Sequence, residues 1–406
     1  ALAYRKAPDA ARAGQTNGSD GVQPSDTVEA NLVFAGLAGL LDPPRGEVPG
    51  ALRELREAGI RVLMLTGDHP ATARAIGNAV DIDGGRVLLG RDIEMLDEVG
   101  LQRTLEEASI YARISPQHKL QIVRALQAAG EVVAVTGDGV NDAPALKEAA
   151  IGVAMGQTGS DIAKEAADMV LGDDSFTTIA VAVREGRKLF ENLRKSVRYY
   201  LAAKVALVSV SLLAVLAHLP VPFAPIQIIA MELFMDLGAS VTFTTEPAEG
   251  DLMARPPRDP KHPFMDRAMQ LGIFAGGISL CATVIIVYVW AFWHGARPAE
   301  AQTLAFSTWM VGHIVLALHM RTERQPLVLA GPFSNRALDI WAVAAIVVIG
   351  VSPSVPILSQ SLKVTPLSLR EWIIAIMTPI VTTSWWEAWK LLRRSTKSAK
   401  SSRWRR

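Results

Sequence analysis

Apolar and polar positions follow two regimes along this chain. Up to about residue 174, short uncharged apolar runs alternate with amphipathic stretches. Runs at 31–41, 60–65, 87–89, 110–112, 132–135, 151–154 and 169–171 read as strands. Helices are predicted over 48–58, ending at Gly59, then from His69-Pro70 to about Val80 with Asp68 as N-cap. Further helices are predicted over 97–108, over 116–129 and from about Ser160. The alternation predicts a mostly parallel sheet with helices on both faces. The 132–135 run carries no charge, which predicts a strand buried on both faces.

The second regime begins at Ser175. From there to about Leu219 there is no proline and one interior glycine, Gly186, so a single helix is predicted. Its first half carries Arg184, Glu185, Arg187, Lys188, Glu191, Arg194, Lys195 and Arg198, whereas 199–219 is apolar apart from Lys204 and a few hydroxyls. That pattern predicts a stalk over 175–198 that continues into a membrane span over 199–219. Five more apolar segments follow, at 225–245, 269–293, 304–320, 338–352 and 372–392, giving an all-α transmembrane domain of six helices. The loops after the second and fourth spans and the tail over 393–406 are rich in Lys and Arg, and the other loops carry few. The bias places the stalk, the basic loops and the C-terminus in the cytoplasm. The basic tail suits anionic headgroups of the lipid bilayer.

Composition adds bounds rather than identity. The 406 residues allow two or three domains, and a net charge of +1 gives no global attraction to nucleic acid. The single cysteine, Cys281, excludes an intramolecular disulfide framework and reads as a small packed hydrophobe. Residues 1–30 are polar and aperiodic, a linker or the tail of a missing domain.

The candidate chemistry centres on VVAVTGDGVNDAPAL, residues 132–146. The strand ends in Thr136-Gly137-Asp138-Gly139, Asp142 follows four residues after Asp138, and Pro144 suits the first turn of a helix. Carboxylates and glycines at the carboxyl end of a parallel strand are placed where open α/β sheets bind ligands. Paired Asp138 and Asp142 suit Mg²⁺, and Gly137 and Gly139 allow backbone N–H groups to approach phosphate. The alternative is a surface turn rich in Gly and Asp. The run at 60–65 also ends in Thr66-Gly67-Asp68, and if the two strands are neighbours both turns open onto one crevice. Lys119 could reach it as a point charge, or could simply be a solvated surface lysine.

Lys204, Glu232 and Asp236 are ionisable residues inside apolar segments, the default mark of an ion pathway. Glu232 and Asp236 are four apart and share a helical face, with Lys204 on the adjacent span as their partner. In the other reading Lys204 snorkels to the cytoplasmic surface. A buried lysine there could serve as a built-in positive charge for a site that takes a dehydrated cation or a proton.

The motifs DPPR (42–45), the first TGD, ARISPQHK (112–119), TGDGVNDAPAL (136–146), the stalk-and-span helix and MARPPR (253–258) occur in an order that resembles P-type cation-transporting ATPases, the group of calcium and sodium–potassium pumps. The resemblance covers residues from about 31 to the last span and corresponds to the second half of such a pump. It implies an α/β haloacid-dehalogenase-like, Rossmann-like phosphorylation domain over 31–174, ahead of the membrane domain at 199–392. It implies that 1–30 would be the tail of a missing nucleotide-binding domain. Mg²⁺ and ATP are the implied cofactors and a cation of unstated identity the cargo; the lack of targeting signals points to a bacterial plasma membrane as the setting.

Residue by residue, the resemblance implies that Thr66 and Gly67 cradle a phosphoryl group while Asp68 shapes the turn. Lys119 would neutralise its charge, Asp138 would bind Mg²⁺, and Asn141 and Asp142 would complete the surroundings. Arg113 would touch the nucleotide, and Glu232 and Asp236 would fall among the cation-binding positions. Two departures stand out. No DKTG motif occurs in the sequence, so the phosphorylated aspartate of the family is absent and the chain alone is not expected to turn over ATP. On the fifth helix of the family, ligand positions are matched here by Lys204 and Leu207, which disfavours calcium. A non-catalytic pump remnant that binds or regulates an intact relative is the second reading. A membrane-tethered phosphatase is the third, and Asp42 is its candidate nucleophile, followed by Pro43-Pro44 rather than a phosphate loop.

Overall fold

The computed structural model describes residues 2–4, 32–36, 43–82, 85–250, 252–323 and 325–392. The remainder of the predicted linker and of the 31–41 run, Asp42 and the basic tail at 393–406 lie outside these residues. Strand β1 (Leu2–Tyr4) pairs antiparallel with β2 (Val33–Gly36). The expected linker therefore opens with a strand, and the 31–41 run joins that ribbon rather than a parallel sheet.

Helix α1 (Val48–Glu57) leads into β3 (Met64–Leu65) and α2 (Pro70–Ala79). Next come β4 (Val87–Leu89), α3 (Glu98–Glu107), β5 (Ile110–Ala112) and α4 (Pro116–Ala128). The cap of α2 is His69, whose Nδ1 accepts the Ala71 N–H at 3.2 Å, and not Asp68. Asp68 is instead drawn back onto Thr66. A second βα series holds β6 (Ala134–Gly137), α5 (Ala143–Glu148), β7 (Ile151–Met155), α6 (Asp161–Ala166) and β8 (Met169–Leu171).

The expected continuous sheet is divided. One parallel sheet has the order β3-β5-β4 and the other β6-β7-β8. Among the described residues β3 pairs only with β5 and β6 only with β7, so the two TGD strands are not neighbours. Both still rest on one apolar cluster, where Leu65 and Val133 pack with Ile122 and Leu126 of α4. Strand β6 is alternately exposed and half-buried, and Val132 just ahead of it is 63% exposed, against the expectation of a strand buried on both faces. The 60–65 run likewise narrows to two half-buried residues.

Asp174 ties this domain to the stalk. In a left-handed conformation at φ 50°, its carboxylate accepts the N–H groups of Gly156 at 2.6 Å, Gln157 at 2.9 Å and Thr158 at 2.8 Å. The Thr158 hydroxyl adds a fourth bond, and Arg45 donates to the Asp174 carbonyl. The Gln157 N–H foremost, with the other donors, holds the carboxyl down at about 2. A folded-state pKa below the ordinary carboxylate value means that this contribution to stability is complete above about pH 4 and is lost as pH falls towards 2. Asp174→Asn is expected to lower the melting temperature of the detergent-purified chain by several degrees at pH 6. The difference from wild type should close between pH 4 and 2 in a thermal-shift series; a gap independent of pH would contradict this.

Helix α7 (Phe176–Leu216) begins at Ser175, whose hydroxyl accepts the Thr177 N–H. Its 41 residues make one rod of about 60 Å. The rod packs along α9 (Arg267–Trp293), where Gly277 sits so close that a Cβ would lie 2.8 Å from the Ala202 carbonyl oxygen. Small residues permit such close helix contact in a membrane. Between them in sequence runs α8 (Pro225–Thr245), and α10 (Pro298–Met320) follows α9. These four helices are long and apolar enough to span a bilayer. Helices α11 (Arg336–Val351) and α12 (Pro356–Leu362) meet at 98° and make at most one broken fifth span. The expected fifth span, 338–352, is matched by α11, which stops at Val351 ahead of Pro353 because proline removes a helical donor and crowds the preceding turn, and so stays short for a span by itself. Helix α13 (Leu369–Thr383) has 15 residues with Pro379 inside, and winding resumes over 385–392 after Ser384. Among the described residues four helices, or five with the bent pair, have the length and apolarity of a span, where six were expected.

Candidate functional site

Helix α4 brings two motif clusters together. Its entry is fixed by Ser115, which caps the His118 N–H, while His118 Nδ1 accepts the Ser115 N–H in return. Just upstream, Ile114 N–H donates to the Thr66 carbonyl at 3.0 Å and Arg113 N–H to the Asp68 carbonyl at 3.2 Å. One turn into the helix, Lys119 Nζ donates to Asp142 Oδ1 at 2.5 Å. The first TGD turn and the GVND turn are therefore both anchored to the start of α4, although their strands belong to different sheets.

The first turn is self-contained. The Thr66 hydroxyl donates to Asp68 Oδ2 at 2.9 Å and accepts the Asp68 N–H at 3.1 Å. Gly67 is exposed, and its missing Cβ would meet only the Ile114 carbonyl, at 3.9 Å, so a ligand can come close to the backbone. Arg113 is exposed and left-handed at φ 55°, a strained setting for a residue other than glycine. The second turn is tighter. Asp142 is buried; its Oδ2 accepts the Gly139 N–H at 3.3 Å, and a Cβ on Gly137 would fall 2.4 Å from Asp142 Cβ. Only glycine at 137 leaves Asp142 room to lie beneath the loop.

Asp138 and Asn141 are exposed, and the Asp138 carboxylate has no hydrogen bond or ion pair among the described residues. The two carboxylates proposed for Mg²⁺ therefore differ. Asp138 is uncommitted, whereas Asp142 is engaged by Lys119. No group of three His, Cys, Asp or Glu side chains that could hold a metal occurs among the described residues. This donor set fits Mg²⁺ in its usual mode, one or two carboxylates completed by water and phosphate oxygens, rather than a cage built by protein alone. A groove of about 350 Å³ between α3 and α4, lined by Leu101, Gln117, Leu120 and Arg124 among others, holds none of the candidate site residues.

The intramembrane acids form a second constellation. Over Met231–Leu237 helix α8 widens into π-helical turns, a local form that recurs at functional sites. Phe234 lies inside this stretch, and its carbonyl accepts the Trp341 Nε1–H at 2.9 Å. Lys204 Nζ donates to Asp236 Oδ2 at 2.7 Å and also to Glu232. Lys204 is thus paired with both acids. Asp236 Oδ1 lies 2.8 Å from His313 Nε2 on α10. Asp236 and His313 side chains are 2% and 0% exposed. His313 had no sequence signal: it stands in an apolar segment 77 residues from its partner.

Comparison with known proteins finds family matches over both the sheet domain and the membrane helices. The model for the C-terminus of cation-transporting ATPases matches residues 220–392. Haloacid dehalogenase-like hydrolase models match residues 11–150 and 119–183. A calcium-transporting ATPase of Bacillus subtilis is 38% identical over 86% of this chain and 40% of its own length. A probable cation-transporting ATPase F of Mycobacterium bovis is 35% identical over 87% of this chain and 40% of its own length. A calcium-transporting ATPase type 2C member 2 of Rattus norvegicus is 37% identical over 75% of this chain and 33% of its own length. The chain spans about 40% of the length of the curated bacterial relatives it matches.

Proposed function

Starting from a chain that belongs to the P-type cation-transporting ATPases, we propose that it supplies the second half of an ATP-driven cation pump: the phosphate and Mg²⁺ side of the phosphorylation site, the stalk and the membrane helices. The observation that carries this reading is the split sheet. Among the described residues, strands β3 and β6 each leave one edge unpaired while lying over the same helix, and both end in a TGD turn. Unpaired edges of this kind are templates for one more strand. A strand from the rest of such a pump, bearing the aspartate of the DKTG motif, would lie between them and deliver its carboxylate to the carboxyl ends of β3 and β6.

In that arrangement Thr66 and the Gly67 N–H orient the phosphoryl oxygens, and Lys119 offsets their negative charge. Asp138, with Asn141 beside it, would hold Mg²⁺, and Mg²⁺ when bound would neutralise phosphate charge. Arg113 would touch the nucleotide. Asp142 orients Lys119, and Gly137 and Gly139 let the loop pass over it. Positioning and electrostatic stabilisation of this sort account for most of phosphoryl-transfer catalysis. The α7 rod, held to the sheet domain through Asp173, Asp174 and Arg45, would carry its motion to the acids on α8. Alone the chain lacks the nucleophile and would be inactive. Six spans with cytoplasmic sheet domain and C-terminus, in a bacterial plasma membrane, complete the reading.

Acid-stable phosphoenzyme formation from radiolabelled ATP tests it, in native membranes probed with an antibody to the 393–406 tail. The expected result is a labelled, antibody-positive band well above the 43.7 kDa of this chain, or label that requires a separate N-terminal partner. An antibody-positive band at this mass, without label under either condition, would favour the pump remnant that binds or regulates an intact relative.

A further inference from the structure

Each oxygen of Asp236 is already occupied by a cation-bearing or imidazole group of the chain itself. Lys204 reaches Oδ2 at 2.7 Å and His313 reaches Oδ1 at 2.8 Å, and the same ammonium bonds Glu232. The imidazole is fixed on its other side, Nδ1 lying 3.2 Å from the Trp309 carbonyl oxygen. Its ring is also bracketed by Trp309 at 4.7 Å and by Tyr199, edge-on, at 5.8 Å. Lys204 is held over the Tyr200 ring at 4.7 Å as well. These contacts come from three separate helices, so the arrangement is built and not a chance rotamer.

A calcium ion needs about six to eight oxygen ligands. Here the acids number two, and Leu207 and Met235, on the same stretches of α7 and α8, bring apolar side chains to the membrane core and no oxygen donor. The Phe234 carbonyl, in the π-helical stretch, is taken by Trp341. A divalent ion approaching Asp236 must displace an ammonium that has no other acceptor in the cluster except Glu232. The residues present therefore do not fit a calcium site.

We propose that Lys204 is the specificity-determining residue of this transport site, a tethered ammonium that satisfies Glu232 and Asp236 and, with His313 holding Asp236 in place, closes the site to divalent metal ions. The proposal rests on the reading of the chain as the membrane half of a cation pump and narrows its cargo to one bearing a single charge.

Equilibrium binding of radioactive calcium to the full chain in lipid nanodiscs tests it. The readout is the binding that Asp236→Asn removes. Wild type is expected to show none below about 1 mM, the weak end of calcium sites in proteins. Lys204→Ala is expected to acquire Asp236-dependent binding at least about tenfold tighter than that limit, equivalent to about 1.4 kcal/mol. His313→Gln, which frees one Asp236 oxygen while Lys204 remains, is expected to stay below it. Should Lys204→Ala fail to give a monodisperse, folded protein, Lys204→Gln serves in its place. Asp236-dependent calcium binding by wild type would overturn the proposal, and so would its absence in a folded Lys204 variant. Because binding needs no ATP turnover, a failed phosphoenzyme assay would count against the pump reading and leave this result intact.

Discussion

Exchanging Asp138 for asparagine, in membranes where this chain is joined by the remaining part of the pump, is expected to depress phosphoenzyme formation by about 10²–10³-fold, the usual cost of losing one preorganised electrostatic contact. Folding should be nearly untouched. Asp138 is exposed, and its carboxylate has no partner among the described residues, so the change in stability should stay within about 0.5 kcal/mol. That separation of effects is the diagnostic. Structural carboxylates lose stability and activity together, whereas one kept free for a ligand loses activity alone. Phosphorylation at rising Mg²⁺ concentration, beside thermal unfolding of the same preparation, reads both. Full phosphorylation by the asparagine variant would remove Asp138 from the site.

The opposite signature is expected at Arg321, which ends α10 with 1% of its surface exposed. Its Nε donates to both oxygens of Glu246 at 3.1 Å, one terminal nitrogen reaches the Ser334 hydroxyl at 2.6 Å, and the other the Pro332 carbonyl. Glu246 also accepts from Asn335, the residue that caps α11, at 2.7 Å, and Asn335 donates to the Thr242 carbonyl at 3.0 Å. The ends of α8, α10 and α11 thus meet on one guanidinium. Arg321→Ala leaves a buried carboxylate without its counter-charge and is expected to cost about 3–5 kcal/mol. Replacing Arg321 and Glu246 together by methionine and leucine should cost much less, since no orphaned charge remains. Thermal and chemical unfolding in detergent distinguish the two. Equal losses in the single and double variants would mean that shape, not charge, holds this junction.

What could be read from the chain in order was local. Ser115 with Pro116, Ser160 and Ser175 mark helix starts because capping depends on residues within one turn, and the structure has helices where they point. The TGD turns and the long α7 rod were legible for the same reason: each is a short-range pattern of glycine, proline and charge. Asp68 shows the limit even there, since its side chain prefers the Thr66 hydroxyl two residues back and leaves the cap to His69.

By itself the sequence determined the succession of strands and helices, the passage from a charged stalk to apolar spans, and the residue types available for phosphate, Mg²⁺ and a buried ion. Only tertiary structure decided which of them meet. Pairing across the sheet depends on partners far apart in the chain, and so the separation of β3 from β6 and the exposure of β6 could not be read from an apolar run. Asp142 looked equivalent to Asp138 until Lys119, 23 residues away, was seen to claim it. His313 looked like any residue of an apolar helix until packing set its ring against Asp236. Burial makes a polar group seek whichever partner packing brings within reach, and that choice is made in space and not along the chain.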